Sequence, residues 1–183
     1  MDTAPHPPRA GGSLTFREAA EADVPALYEL IQAAYRDGAG GWTTEAALIG
    51  GGRIGAPQLR EIIGAEGELL IVAEREGAVV GCCRLEHRGA TALFGLFAVH
   101  PRLQAGGLGR RILAEAERRA RETWGVRAVH MTVISLRDEL IAWYERRGYR
   151  RTGELTPFPY EEETASEPFR DDLTFELLVK EVR

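Results

Sequence analysis

The stretch Leu96-Phe97-Ala98-Val99-His100-Pro101-Arg102-Leu103-Gln104-Ala105-Gly106-Gly107-Leu108-Gly109 decides the fold. An apolar run of strand character passes through a glycine-rich loop straight into a helix. Past Pro101, Leu108, Ile112, Leu113, Ala116 and Ala120 recur at helical spacing, and Arg110, Arg111, Glu115, Arg118, Arg119 and Glu122 occupy the opposite face. Val126 to Ile134 then reads as a strand again. Strand, helix and strand in direct succession require a parallel pair joined by a right-handed crossover. Gly106, Gly107 and Gly109 let main-chain N–H groups approach a ligand, and a helix starting near Leu108 aims unpaired donors and the positive end of its dipole at the same place. The loop is either an anion site suited to a pyrophosphate or only a tight strand-to-helix turn.

Upstream, Leu14 to Ala19 reads as a short strand and Glu21 to Arg36 as a helix with Val24, Leu27, Leu30, Ile31 and Ala34 on one stripe, Pro25 being tolerable in its first turn. A glycine-rich stretch from Asp37 to Gly55 reads as a surface segment, followed by a short helix from Pro57 to Gly64. Leu69 to Arg75, Ala78 to Glu86 and Thr91 to Val99 are β-rich runs separated by Glu76-Gly77 and Arg88-Gly89, which predicts an antiparallel meander. Downstream, Asp138 to Arg147 returns to helical period and stops at Gly148, a residue suited to a left-handed cap. A last strand runs from Leu173 to Lys180. The expectation is a mixed α/β fold around one central sheet, with residues 1–13 as a disordered tail and residues 14–183 as one domain.

Composition narrows the function. The chain has 183 residues, 44% hydrophobic and 28% charged, which fits a soluble globular domain. No apolar run approaches the roughly 20 residues that span a bilayer, so no membrane partner is expected. The formal net charge of −5 argues against a nucleic-acid backbone as partner. Acidic residues concentrate between Tyr160 and Asp172, where Glu161, Glu162, Glu163, Glu167, Asp171 and Asp172 face Arg170 alone. Cys82 and Cys83 are neighbours in an extended run, so their side chains point to opposite faces and an internal disulfide is not expected. A reducing cytoplasm fits this usage.

Two phosphate-binding loops are excluded by inspection. A Walker loop needs Gly-Lys-Ser/Thr, yet the chain's one lysine is Lys180. A dinucleotide fingerprint needs a third glycine where Ile112 stands, and it opens its fold instead of following three β runs.

What the stretch resembles is the pyrophosphate loop of the GNAT acetyltransferase superfamily, whose Gln/Arg-x-x-Gly-x-Gly/Ala pattern is matched by Gln104-Ala105-Gly106-Gly107-Leu108-Gly109. Leu96 to Pro101 is similar to the family's splayed strand, and Ala142-Trp143-Tyr144-Glu145-Arg146-Arg147-Gly148-Tyr149 to its helix-closing motif. The resemblance implies a mostly antiparallel sheet with a splayed parallel pair, flanked by helices. It implies acetyl-CoA as cosubstrate, no metal, and transfer of the acetyl group to a primary amine of a small molecule or peptide; the acidic excess between Tyr160 and Asp172, in the loop that borders the family's acceptor entrance, points to a cationic acceptor. A catalytically silent CoA-binding domain is the rival reading, and a homodimer is left open.

By the same resemblance, Phe97, Ala98 and Val99 offer backbone groups to the pantetheine arm and donors to the thioester oxygen. Gln104, Ala105, Gly106, Gly107, Leu108 and Gly109 form the pyrophosphate loop, and Arg110 adds charge beside it. Tyr144 is the general acid that protonates the departing sulfur. The family commonly has an asparagine seven residues before that tyrosine; this sequence has Arg137 there and no asparagine at all. Arg137 either contacts CoA or faces solvent. The general base stays open among Glu45, Glu86, His87 and His130, with a water chain as the alternative. Trp42, Thr43, Thr44 and Glu45 stand where the family builds its acceptor pocket.

Overall fold

The computed structural model describes residues 12–35, 45–160 and 166–183. Its elements are β1 (Leu14–Glu18), α1 (Val24–Tyr35), β2 (Ile49–Gly51), α2 (Ala56–Ile62), β3 (Glu68–Arg75), β4 (Ala78–Arg88) and β5 (Thr91–Val99). They continue with α3 (Leu108–Trp124), β6 (Ala128–Ile134), α4 (Asp138–Glu145), β7 (Arg150–Pro157), β8 (Ser166–Pro168) and β9 (Thr174–Glu181). A seven-stranded sheet has the order β1-β3-β4-β5-β6-β9-β7, and β2 pairs with β8 in a separate ribbon. Every neighbouring pair is antiparallel except β5 and β6, the parallel pair around the α3 crossover.

Two apolar layers cover the sheet. On one face α1 and α2 bury Leu27, Ile31 and Leu59 against Val72, Cys82 and Ala98. On the other, α3 and α4 bury Ile112, Leu113 and Ile141 against Ile71, Cys83 and Leu85. Cys82 and Cys83 are free and fully buried in opposite layers, as strand alternation requires. The close seat of α3 on β4 depends on Gly81, where an added Cβ would collide with Ile112 Cδ1 and stand 3.1 Å from Ala98 O.

The expected helix from Glu21 opens as a 3-10 turn over Glu21–Asp23. The Ala20 N–H donates to Asp23 Oδ2 at 2.7 Å, and Arg17 pairs with the same carboxylate at 2.7 Å. β2, β7 and β8 were not anticipated. β7 is exposed along its length and shows no apolar alternation. It is an edge strand held by its ladder to β9 and by Arg151 on Glu176, a carboxylate only 3% exposed.

The site is opened by an irregularity in β5. β5 and β6 pair only over Thr91–Leu93 and Ala128–His130, and then diverge. Between the pairs Arg84↔Gly95 and Cys82↔Ala98, Leu96 and Phe97 together oppose Cys83, and Leu96 takes a left-handed φ of 47°. This is a β-bulge, which bends the strand and re-aims its later residues.

Candidate active site

The expected glycine loop is a 3-10 turn over Pro101–Gly106 that runs through Gly107 into α3. Gly107 caps the helix at φ 75°, a conformation glycine adopts without strain. The first N–H to close a helical bond is that of Arg111, to Gly107 O at 3.3 Å. The preceding N–H groups have no partner inside the helix, and Gly107, Gly109 and Arg110 of this turn line a cavity. An added Cβ on Gly109 would stand 3.2 Å from Phe97 Cζ and 3.5 Å from Trp143 Cζ2, so glycine keeps this wall thin.

A cavity of about 280 Å³ lies between this helix start and α4. Phe97, Val99, Gln104, Ala105, Gly107, Gly109 and Arg110 line one side, and Trp143, Tyr144 and Arg147 the other. His100 N–H donates to Val80 O on β4 at 2.9 Å, so strand alternation turns the N–H groups of Val99 and Phe97 away from β4 and into the splay. The Ala98 side chain is buried in the opposite layer, and Ala98, Gly106 and Leu108 do not line the cavity.

Two polar groups in the wall are unsatisfied. Gln104 donates from Nε2 to Val99 O at 3.3 Å, while its Oε1 is buried without a partner. Arg147 donates from Nη1 to Trp143 O at 2.6 Å and lies over the Trp143 ring at 3.5 Å, while its Nε is buried without a partner. Burial lowers the Arg147 pKa, and the charges of Arg146 and Arg110 lower it further. Unpaired helix N–H groups beside the guanidiniums of Arg110 and Arg147 make a lining suited to an anion.

Tyr144 lines this cavity and is 4% exposed. Its ring meets Trp143 edge-on at 5.1 Å, Tyr149 at 5.8 Å and Phe97 at 6.5 Å. Burial raises its pKa well above the ordinary tyrosine range, so the phenol keeps its proton at neutral pH.

A second cavity of about 250 Å³ opens on the far side and shares Tyr35, Phe97, Leu140 and Tyr144 with the first. Its charged lining is Glu45, Arg53, Arg84 and Glu86. Arg84 pairs with Glu68 at 2.5 Å and reaches Glu86 at 3.6 Å, and Arg88 holds Glu86 at 2.7 Å. Glu45 is 9% exposed and meets Arg137 Nη1 at 3.2 Å. Burial pushes the Tyr35 phenol up to about 12.

Arg137 thus lines neither cavity and does not face solvent; its guanidinium is turned towards Glu45. Of the base candidates, Glu45 and Glu86 line the second cavity with Tyr144. His87 stacks on Trp124 at 5.1 Å with Nε2 2.8 Å from Gly89 O, and His130 lines neither cavity. Trp42, Thr43, Thr44, Glu161, Glu162 and Glu163 lie outside the described residues. The sequence reading missed Tyr35, Arg53, Trp143 and Arg147. Trp143 and Arg147 were within reach, since both lie in the contiguous motif that contains Tyr144, Trp143 on α4 and Arg147 in the turn that follows it.

Residues 66–151 match the family model described as an acetyltransferase (GNAT) domain. No curated protein matches the chain in sequence. Among solved structures, the ribosomal-protein-S18-alanine N-acetyltransferase from Escherichia coli is similar with a TM-score of 0.69 at 18% identity, over 93% of this chain and 94% of that one. A GNAT family acetyltransferase from Elizabethkingia anophelis with acetyl-CoA bound gives 0.67 at 17% identity, over 92% and 97%. The spermidine/spermine N-acetyltransferase from Vibrio cholerae gives 0.65 at 16%, over 92% and 95%. The chain thus carries a match to a GNAT acetyltransferase domain over residues 66–151 and shares the fold of GNAT acetyltransferases along most of its length.

Proposed function

We propose that this protein transfers the acetyl group of acetyl-CoA to a primary amine by direct attack, with Tyr144 as the proton donor. The observation that carries the reading is that two cavities, one rimmed by unpaired N–H groups and guanidiniums and one whose charged lining combines Glu45 and Glu86 with Arg53 and Arg84, share Tyr144. When bound, acetyl-CoA supplies the thioester and its thiolate leaving group. The helix start, Arg110 and Arg147 hold the phosphates. The N–H groups of Phe97 and Val99 are directed into the splay, where they stabilise the oxygen that gains charge. Glu45 and Glu86 face the acceptor side and draw an ammonium, whose proton leaves through water or a carboxylate before the nitrogen attacks. The carbon–nitrogen bond forms as the carbon–sulfur bond breaks, the Tyr144 O–H supplies the proton for sulfur, and the proton the nitrogen sheds on becoming an amide returns through water to the Tyr144 phenolate. Holding both partners where the two cavities meet at Phe97 and Tyr144 makes the attack effectively intramolecular.

In this reading residues 14–183 form the acetyltransferase domain, and two buried free thiols support a reducing cytoplasm as its place of action. The test is release of free thiol from acetyl-CoA with a panel of primary amines, beside calorimetric CoA binding. Amine-dependent thiol release is expected. CoA binding with no thiol release from any amine would instead assign a silent CoA-binding domain.

A further inference from the structure

Arg53 belongs to the charged lining of the second cavity. Its backbone N–H donates to Gln32 Oε1 at 2.8 Å, which fixes the residue against α1, and its guanidinium lies over the Tyr35 ring at 5.2 Å. The side chain lines the second cavity, yet it makes no ion pair with a carboxylate among the described residues. The other cations at this cavity are matched: Arg84 by Glu68 and Glu86, and Arg137, just behind the wall, by Glu45. Arg53 is thus a positioned fork of donors, partly withdrawn from water, beside Tyr35 and facing the space where the acceptor binds. A planar guanidinium in that state recognises a planar oxyanion with two parallel hydrogen bonds. Glu45, in the same lining, supplies the opposite charge.

Building on the acetyl-transfer reading, we propose that the acceptor is an amino acid-like zwitterion, its carboxylate held by Arg53 and its ammonium directed to the Glu45 side next to Tyr144. The pairing fixes orientation as well as affinity, because the two charges cannot be exchanged without placing carboxylate against carboxylate. A polyamine, by contrast, would bring an ammonium against Arg53.

The experiment compares free amino acids with their carboxamides, and with spermidine, in thiol-release assays on the native protein and on Arg53→Gln and Arg53→Lys. The native protein should favour the carboxylate member of the best pair by about tenfold or more in kcat/KM, as expected for one lost charge-assisted contact. That ratio should fall towards one in Arg53→Gln and recover in part in Arg53→Lys, with CoA affinity retained as the check on folding. Equal use of carboxamides and carboxylates by the native protein, a preference for spermidine, or an unchanged ratio in Arg53→Gln overturns the proposal while leaving acetyl transfer standing. A parallel calorimetric titration of the same amino acids into the CoA complex reads Arg53 without turnover. Binding there that Arg53→Gln abolishes supports the zwitterion site even if no amine is acetylated. Absence of any binding or turnover by amino acids rejects it.

Discussion

Arg137 and Glu45, 92 residues apart, join at 3.2 Å with both side chains 11% exposed. Arg137 is the N-cap of α4, its N–H donating to Ile134 O at 2.9 Å and its carbonyl accepting from Ile141 at 3.0 Å. The ion pair therefore fastens the acceptor wall to the start of the helix whose second turn carries Tyr144. Arg137→Gln should destabilise the protein by about 1–3 kcal/mol through a less satisfied buried carboxylate. Acceptor KM should rise while CoA affinity holds, readable by thermal melts, steady-state kinetics and CoA titration. A weakened CoA affinity with unchanged acceptor KM would assign Arg137 to the cofactor.

Tyr144→Phe removes the phenol hydroxyl and keeps the ring that packs on Trp143 and Tyr149. Loss of general acid catalysis should lower kcat by roughly 10²–10⁴, with CoA affinity nearly kept. Native turnover in the variant would reduce Tyr144 to packing.

The raised pKa of Tyr144 sets the sign of the pH response. A group whose pKa is raised stays protonated at pH values where an ordinary tyrosine, with a pKa of about 10, is half ionised. The rate should therefore climb with pH as the acceptor amine loses its proton and then level off, with no descending limb near pH 10 that belongs to Tyr144. A kcat/KM profile up to the alkaline stability limit checks this, and a fall near 10 that vanishes in Tyr144→Phe would contradict it.

Arg147 stands in mutual repulsion with Arg146 and Arg110, which an anion relieves. CoA affinity should fall as salt rises, because screening lengths shrink to about 10 Å at 0.1 M. Arg147→Ala should both weaken CoA binding and flatten that dependence, whereas acetyl-pantetheine, which lacks the nucleotide, should show little salt dependence in either protein. Equal salt slopes for CoA in the two proteins would remove Arg147 from the phosphate site.

Gly109 tests the thin wall. A valine there would press on Phe97 and Trp143, which a Cβ already approaches at 3.2 and 3.5 Å. Overpacking of this kind costs about 1–3 kcal/mol, and the loss should appear in CoA affinity more than in melting temperature, because the crowded atoms border the cavity. Calorimetry and thermal melts on the same sample separate the two.

The sequence by itself determined the parts whose causes are local. The β5–α3–β6 crossover, the helix start after Gly107, the left-handed turn at Gly148 that follows α4, which itself ends earlier than expected at Glu145, and the opposite burial of Cys82 and Cys83 follow from periodicity, turn residues and strand alternation, all set by near neighbours in the chain. The glycine loop before α3 and the place of Tyr144 on α4 were legible because their residues lie within two short contiguous motifs. Tertiary structure decided what depends on distant residues or on irregular backbone. The bulge at Leu96 has no periodic signature, and β7 has no apolar alternation because an edge strand is held by its backbone ladder. The Glu45–Arg137 pair and the seat of Arg53 over Tyr35 arise only when chain closure brings charges together, since Coulomb attraction and ring stacking depend on distance in space and leave no spacing to read along the chain.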